Sequence, residues 1–453
     1  MKTKRDKFSL LNMSPTQFIV LGYVLVILIG SILLNLPMAS KDGNSVGYVN
    51  ALFTATSATC VTGLVVVDTY THWTTFGQLT ILFLLQIGGL GFMTMATLFS
   101  LMLGRKISFK ERLLMAESLN HYSLEGIVRL TKQILLGTLM FEGAGALILS
   151  IRFANEYGVA KGIYKGIFHA VSAFCNAGFD LMGESEKFTS LTAYVDDPIV
   201  NLTIMALVII GGLGFYVWNN IYKAKNVNDL KLHTKLVLLI SAVLLAGGFI
   251  FFFLLEFNNP DTLKPLSLGD KVLAAMFQSV TTRTAGFNTL PLSDLTNASK
   301  FMTIVLMFIG GSPGSTAGGI KTVTAGVLLF AVISVIRRSD DTELFRRRLH
   351  YSVVLRALSV VVISIGIVLG TTVILSIFES ASFIEIFFEA VSAFGTVGLS
   401  LGMTPSLSTV SKLTLIGTMF LGRVGVFTMA LALVAKGKKN RKLRYPEGKI
   451  MVG

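Results

Sequence analysis

The chain has 453 residues, of which 53% are hydrophobic and only 14% are charged. Soluble domains carry about a quarter charged residues, so this composition excludes a series of ordinary soluble domains. The net charge of +14 does not indicate a nucleic-acid-binding protein, because long apolar segments leave no room for a basic globular domain.

Eight apolar segments follow one another along the chain, each long enough to cross a hydrocarbon core of ~30 Å as a helix. Five of them contain no Asp, Glu, Lys or Arg, and two contain a single charge, Glu142 or Arg423. We therefore predict an all-α integral membrane protein with eight transmembrane spans. The segments are 17–37, 76–104, 133–151, 198–222, 236–255, 301–336, 357–378 and 413–435.

The sixth segment, 301–336, is too long for one span, since 36 residues of straight helix measure about 54 Å. It contains the Gly- and Pro-rich stretch Gly310–Gly319, which cannot remain helical. We predict two half-helices joined by an irregular stretch at membrane depth, where such backbone must be buried or line a cavity. The second segments of the other three repeats described below are expected to be unbroken.

The charges between the segments orient the chain. With the N-terminus inside, inner segments hold 27 of the 39 Lys and Arg, whereas outer segments hold eight. This asymmetry follows the positive-inside rule and places both termini in the cytoplasm. Outer segments also hold 15 of the 25 Asp and Glu, and an acidic vestibule would enrich cations at its mouth.

A fourfold repeat carries the functional argument. The stretches 53–64, 168–179 and 388–399 align without gaps, and 277–287 fits with one residue fewer before its glycine. The glycines are 115, 108 and 112 residues apart, close to a quarter of the chain. Each copy lies on the outer side between two spans, and its helix of about ten residues is too short to cross. The four glycines are Gly63, Gly178, Gly286 and Gly398.

Four re-entrant loops around one axis can form a ring of backbone carbonyls, which replaces the hydration shell of a potassium ion. Glycine permits the positive φ that this carbonyl orientation requires. The partly negative C-terminal ends of the short helices would favour a cation at the centre. Since the four glycine strands contain no carboxylate, selection by a charged ring is not indicated.

With these motifs the chain resembles the Trk/Ktr/HKT superfamily of potassium transporters, specifically the membrane subunit of a bacterial Ktr-type uptake system. The resemblance rests on Thr54–Leu64, Ser279–Asn288 and Gly310–Lys321, and it covers nearly the whole chain. It implies a pseudo-fourfold pore built from four tandem span–pore-loop–span repeats. It also implies a homodimer in the bacterial cell membrane, docked on a cytosolic ring of nucleotide-binding (RCK/KTN-type) subunits. Potassium would bind at the filter carbonyls only, and ATP or ADP would bind to the partner ring rather than to this chain.

The resemblance assigns residues to a filter and to a gate. Because the first filter position is Gly63 rather than serine, it also implies a preference for potassium over sodium. The filter residues are Cys60, Val61, Thr62, Gly63, Cys175, Asn176, Ala177, Gly178, Arg283, Thr284, Ala285, Gly286, Gly395, Thr396, Val397 and Gly398. The gate residues are Gly310, Gly311, Ser312, Pro313, Gly314, Ser315, Thr316, Ala317, Gly318, Gly319, Lys321 and Arg423.

The resulting organisation alternates repeats with cytoplasmic segments. The cytoplasmic segments are 1–16, 105–132, 223–235, 337–356 and 436–453. The repeats are 17–104, 133–222, 236–336 with the intramembrane loop at 310–321, and 357–435.

Several single residues allow two interpretations. Arg423 is either a cation barrier below the filter or a structural partner of Glu142 or of a loop carbonyl, because a charge at this depth faces protein or water. Lys321 is either part of the gate or the snorkelling end of a half-helix. Arg283 is expected to bond loop carbonyls and support the filter, and His169 to be a satisfied structural histidine. Cys60 and Cys175 occupy the same slot and are expected to be packing residues rather than reactive thiols.

The basic clusters 337–338, 346–348 and 436–444 could contact the regulatory ring or anionic lipid head groups, or could simply set the topology. A sodium- or proton-coupled transporter with alternating access at the broken segment is the alternative function. A membrane enzyme is rejected, because no catalytic or nucleotide-binding motif lies near a span end.

Overall fold

A computed structural model describes residues 14–102, 107, 109–118, 126–184, 186–339 and 341–433. Over these ranges the chain is mostly helical. The helices are α1 (Pro15–Leu34), α2 (Tyr48–Thr59), α3 (Thr69–His72), α4 (Thr75–Leu90), α5 (Phe92–Met102), α6 (Phe109–Ser118), α7 (Ile127–Tyr157), α8 (Val159–Phe174), α9 (Pro198–Leu213), α10 (Phe215–Lys223), α11 (Leu232–Glu256), α12 (Leu268–Thr281), α13 (Asn297–Phe308), α14 (Thr322–Ile336), α15 (Tyr351–Phe378), α16 (Phe383–Gly395), α17 (Thr409–Val424) and α18 (Val426–Leu433). The basic cluster 436–444 lies outside the described residues.

Four helices, α1, α7, α11 and α15, are long and apolar enough to cross a membrane. Each opens one of the four repeats. Large apolar side chains on them remain exposed, for example Leu254 on α11 and Ile377 on α15, as expected of a surface that faces lipid rather than water. The N-terminus of α1 is fixed by a capping box between Ser14 and Gln17, with Pro15 in the first turn.

The second segments of the repeats are broken, so the expectation that three of them are continuous was wrong. The axes of α4 and α5 meet at 104°, and those of α9 and α10 at 93°. Glycines with positive φ stand at the breaks, Gly91 at +84° and Gly214 at +95°, and Gly425 at +89° separates α17 from α18. Such a φ cannot belong to a right-handed helix. Counting each bent pair once gives six spans among the described residues, and a total of eight remains a prediction.

In the third repeat the long segment is divided between two shorter apolar helices, α13 with 12 residues and α14 with 15. The residues between them form no regular helix. Gly310 donates its amide to the carbonyl of Ile320 at 2.9 Å, so the stretch closes on itself at its base.

The short helices α2, α8, α12 and α16 contain 12, 16, 14 and 13 residues. They are longer than the predicted ten, because each begins before the stretch that the repeats share. Helix α8 lies closely against α7, where a Cβ on Gly166 would lie 2.3 Å from the Ser150 hydroxyl oxygen. Between α14 and α15, β1 (Glu343–Leu344) and β2 (Arg347–Arg348) pair antiparallel as a short hairpin, so the described part of the chain is not purely helical.

Candidate functional site: a glycine ring and an intramembrane loop

Each short helix delivers one of the four glycine loops to the middle of the protein. A phenylalanine at the same position of every repeat, Phe53, Phe168, Phe277 or Phe388, is at most 2% exposed and anchors the helix in the core. Burying such a side chain stabilises the fold by about 1.5–3 kcal/mol. The four anchors hold the helix ends in equivalent places.

The four loops have the same backbone conformation. The residue two positions before the glycine is left-handed in every repeat, with φ between 50° and 63°. The glycines follow with φ of 90°, 69°, 81° and 92° at Gly63, Gly178, Gly286 and Gly398. A side chain is disfavoured at these positive φ values, so glycine is needed at these four positions for its backbone conformation. The left-handed residues, two positions before the glycines, are Val61, Asn176, Thr284 and Thr396.

The four glycines close into a ring. A Cβ on Gly63 would lie 2.5 Å from the carbonyl oxygen of Ala177, the residue before Gly178. The same relationship, between 2.3 and 2.9 Å, links Gly178 to the carbonyl of Ala285, Gly286 to that of Val397, and Gly398 to that of Thr62. Every loop thus packs against the carbonyl of the next, and the last packs against the first. No side chain fits at these positions without a backbone shift.

Serine hydroxyls within the short helices hold two of the ring glycines. The amide of Gly63 donates to the Ser57 hydroxyl at 3.1 Å, and that of Gly398 to the Ser392 hydroxyl at 3.2 Å. These serines were not among the predicted site residues. The repeat alignment could have indicated them, because three copies have serine at this aligned position and the fourth has threonine, Thr281.

A cavity of about 410 Å³ opens on one side of the ring and is lined by all four glycines. Asp68 and Asp180 also line it. Asp68 accepts hydrogen bonds from the amides of Thr71 and Phe188, so it joins the loop that follows Gly63 to the loop that follows Gly178. Burial and the neighbouring Asp68 carboxylate raise the pKa of Asp180 to about 6.

The intramembrane loop, residues 310–319, is seated on the broken end of α9. The amides of Ser312 and Thr316 donate to the carbonyls of Gly212 and Gly211, and Phe215 donates its amide to Gly314 at 2.8 Å. A Cβ on Gly214 would lie 2.7 Å from the Pro313 carbonyl oxygen. The loop therefore uses backbone groups that the break in α9 leaves free.

The loop also reaches the glycine ring. A Cβ on Gly318 would lie 2.2 Å from the hydroxyl of Thr396, and one on Gly319 would lie 3.3 Å from the Cα of Gly395. The loop is thus packed directly against the fourth glycine loop. Any substitution at Gly318 would push these two elements apart.

Two cations hold the loop by hydrogen bonds to its carbonyls. Arg423 donates from its guanidinium to the carbonyls of Thr316, Gly88 and Gly89. Lys321 donates to the carbonyl of Ala317 at 2.7 Å. A second cavity, of about 310 Å³, is lined by both cations and by the loop, but by none of the ring glycines.

These contacts identify the partners of residues for which the sequence left two interpretations open. Arg423 bonds one loop carbonyl, that of Thr316, which is one of the structural partners expected for it. The other expected partner, Glu142, instead accepts a hydrogen bond from Gln86 at 2.9 Å. Lys321 turns back to the loop and does not extend away from it. The hydrogen-bond partner predicted for Arg283 was wrong. Its guanidinium donates to the Ser241 hydroxyl on α11 and not to a loop carbonyl.

Two cysteines and one histidine are buried near the ring. Cys60 and Cys175 are fully buried free thiols. His169 is also fully buried; its Nδ1 lies 2.7 Å from the carbonyl of Lys165, and its Nε2 accepts from the amide of Leu181. Both ring nitrogens are therefore satisfied, which is the structural role predicted for this histidine.

Comparison with known proteins gives consistent matches along the chain. A family model described as TrkH, cation transport protein, matches residues 2–442. The chain is 44% identical to Ktr system potassium uptake protein B of Bacillus subtilis, with 100% of both chains covered, and 42% identical to potassium/sodium uptake protein NtpJ of Enterococcus hirae, with 98% of both covered. The crystal structure of the potassium transporter TrkH from Vibrio parahaemolyticus superposes with a TM-score of 0.74 over 95% of this chain and 87% of that chain, at 20% identity. That likeness establishes a shared fold.

Proposed function

Because the chain belongs to the TrkH family of cation transport proteins, we propose that it is the potassium-translocating membrane subunit of an uptake system. The family consists of transport proteins, so the chain is not an enzyme. The names of the two relatives given above describe uptake of potassium, or of potassium and sodium. The observation that carries the proposal for this chain is the closed ring of Gly63, Gly178, Gly286 and Gly398.

The ring provides the chemistry that potassium selection needs. Its four loops bring backbone carbonyls together around one axis, and carbonyl dipoles can replace water around a dehydrated ion. The short helices end at the ring, so their partly negative C-termini favour a cation there. Ions would enter from the cavity that Asp68 and Asp180 line, and these carboxylates raise the local cation concentration.

The loop of residues 310–319 and Arg423 form the proposed gate. The guanidinium of Arg423 faces the second cavity, which Lys321 also lines, and its fixed positive charge would repel a cation entering that cavity. The loop supplies three of the carbonyls that hold these cations. Moving the loop aside would release the guanidinium and open the passage.

The assembly in which this gate works is a further part of the proposal. We place eight spans and four tandem repeats around the pore, with both termini in the cytoplasm of a bacterial cell. A homodimer would dock on a cytosolic ring of nucleotide-binding subunits, whose ATP and ADP states move the loop. The excess of Lys and Arg in the inner segments supports this orientation, and the exposed arginines of the β1–β2 hairpin, Arg347 and Arg348, are available to such a partner or to lipid head groups.

A coupled transporter with alternating access is the second candidate. It gains support from the breaks at Gly91 and Gly214, because discontinuous helices are typical of such transporters. The glycine ring favours the gated pore, since four loops packed carbonyl to glycine leave little freedom for rocking of one half of the protein against the other.

Ion uptake by a potassium-uptake-deficient bacterial strain that expresses this chain tests the proposal. We expect low-affinity potassium uptake that rises when a cytosolic nucleotide-binding subunit is co-expressed. The control is a strain that produces the subunit alone. Uptake that stops when the sodium or proton gradient is collapsed, with the potassium gradient maintained, would instead favour the coupled transporter.

A further inference from the structure

Asn176 differs from its counterparts in the other three glycine loops. Its φ of 55° is left-handed, and asparagine tolerates that region better than most residues. However, Val61, Thr284 and Thr396 adopt the same conformation, although β-branched residues are the least suited to it. Backbone tolerance therefore does not account for an amide side chain at this one position.

The amide joins two other elements. Its Nδ2 donates to the carbonyl of Arg283 at 3.2 Å, and its Oδ1 accepts from the hydroxyl of Thr316 at 2.9 Å. Asn176 and Thr316 are fully buried. One side chain thus connects the second glycine loop to the third and to the intramembrane loop.

Thr316 is also the loop residue that Arg423 contacts. Its carbonyl accepts from the guanidinium of Arg423, while its amide donates to Gly211. Hydroxyl, carbonyl and amide of one residue are therefore bonded to three different elements. If the loop leaves its seat, Thr316 cannot keep any of these partners, and the Asn176 amide loses its donor inside a buried site, which is unfavourable.

We propose that Asn176 is a positioning residue that couples the intramembrane loop to the glycine ring. This rests on the proposed function of the ring and loop. The Thr316 hydroxyl bond holds the loop in its seat, and the Arg283 carbonyl bond sets the spacing between the second and third glycine loops. Displacement of the loop is thereby transmitted to the ring through one amide.

The two bonds can be removed separately. Thr316→Val deletes the hydroxyl and leaves the carbonyl that Arg423 needs, whereas Asn176→Thr deletes both amide bonds and installs the side chain that two other loops carry at this slot. Potassium and sodium fluxes are measured with the purified chain in liposomes, without a partner subunit. Thr372→Val, which removes a buried hydroxyl bond within α15, is the matched control.

We expect Thr316→Val to raise basal potassium flux several-fold, up to about tenfold. Asn176→Thr should raise it similarly and also raise the sodium-to-potassium flux ratio, because it alone loses the Arg283 bond. The double variant should not exceed the larger single effect, since both changes remove the same bond. Thr316→Ser, which restores the donor, should return the flux toward that of the wild type.

Fully additive flux increases in the double variant, or an unchanged ion ratio in Asn176→Thr, would overturn the coupling. If Asn176→Thr does not fold, the comparison of Thr316→Val with Thr316→Ser decides: equal fluxes in these two variants contradict the proposal. A wild-type chain that carries no potassium would refute the proposed function itself. A potassium-selective wild type with no effect of Thr316→Val would refute the coupling alone.

Discussion

The ammonium of Lys165 lies 3.2 Å from a carboxylate oxygen of Glu184, and the lysine side chain is only 2% exposed. It also lies 3.4 Å from the centre of the Tyr157 ring. The second oxygen of the carboxylate accepts from the hydroxyl of Tyr70. This contact fastens the segment after Gly178 to helix α8, which carries the second glycine loop, and to the first repeat.

Glu184→Gln should destabilise the protein by about 1–3 kcal/mol, more than Lys165→Met does. The glutamine leaves a buried ammonium without its counter-charge, whereas methionine removes that charge. Lys161→Met is the control, because Lys161 contacts the same carboxylate from a position that is 67% exposed and such pairs contribute little. Thermal unfolding midpoints of the detergent-solubilised variants rank the three changes. A larger loss in Lys161→Met would contradict this account.

The same carboxylate should add a pH dependence to stability. Partial burial opposes its ionisation, but hydrogen bonds from Tyr70 and Lys165 outweigh that effect and hold the pKa of Glu184 below its usual value. A depressed folded-state pKa stabilises the protein above the unfolded pKa, and this stabilisation is lost as the pH falls through the folded value. The wild type should therefore lose more stability on acidification than Glu184→Gln does.

Potassium uptake should weaken as the external pH falls from 7 to 5, because Asp180, with a pKa of about 6, becomes neutral over that interval. Asp68 and Lys165 are the charged groups that act on it. A neutral Asp180 leaves the outer cavity less negative, so we expect the KM for potassium to rise about two- to threefold. Asp180→Asn should show the higher KM at both pH values. A pH response that persists in this variant would assign the titration to another group.

Gly63→Ser should reduce selectivity for potassium over sodium. The new Cβ would meet the Ala177 carbonyl at a φ of +90°, so two of the four ring loops must shift. Gly417→Ser is the matched control, since nothing lies within 4 Å of a Cβ at that position. Flux ratios are measured in liposomes after confirming that both variants elute as the wild type does on size exclusion. An unchanged ratio in Gly63→Ser would count against selection by the ring.

Arg423→Ala, or a partial deletion within 310–319, should raise potassium flux even without a regulatory subunit. Each change removes contacts that hold the loop to α17 and α4. Alanine also removes a positive charge from the passage, and a shift of about 1.4 kcal/mol in the gating equilibrium would give a tenfold change. If folded variants instead lose uptake, these residues are part of the ion path rather than a barrier.

The ring was predictable from the sequence, and the breaks in the second segments were not. Four evenly spaced copies of one pattern identify Gly63, Gly178, Gly286 and Gly398 without any knowledge of packing. A single glycine in an apolar segment carries no comparable signal, because it costs a helix only about 1 kcal/mol.

Whether a helix bends at a glycine depends on its surroundings. At Gly214 the Pro313 carbonyl lies where a side chain would stand, and the amide of Phe215 bonds the Gly314 carbonyl. Those contacts come from a segment a hundred positions later in the chain. The same holds for Asn176 and Thr316, whose pairing spans 140 residues and which no local pattern indicates.

The partner of Arg283 was missed for a related reason. Its position before Gly286 indicated a supporting role, but its guanidinium extends to Ser241 on α11. The direction of a long side chain depends on which neighbours leave room, and here α11 offers a hydroxyl inside the core.

The ring closes within one polypeptide, and this alters what a mutation can do. In a channel built from four identical chains, a substitution at a ring glycine changes all four positions at once, whereas here it changes one position and leaves three intact. The four repeats can therefore differ from one another. Only the third contains the intramembrane loop, only the fourth contains Arg423, and only the second has an asparagine, Asn176, two positions before its ring glycine. If the loop 310–319 is the proposed gate, it occupies one side of the axis, and a single small displacement would clear the passage without four copies moving together.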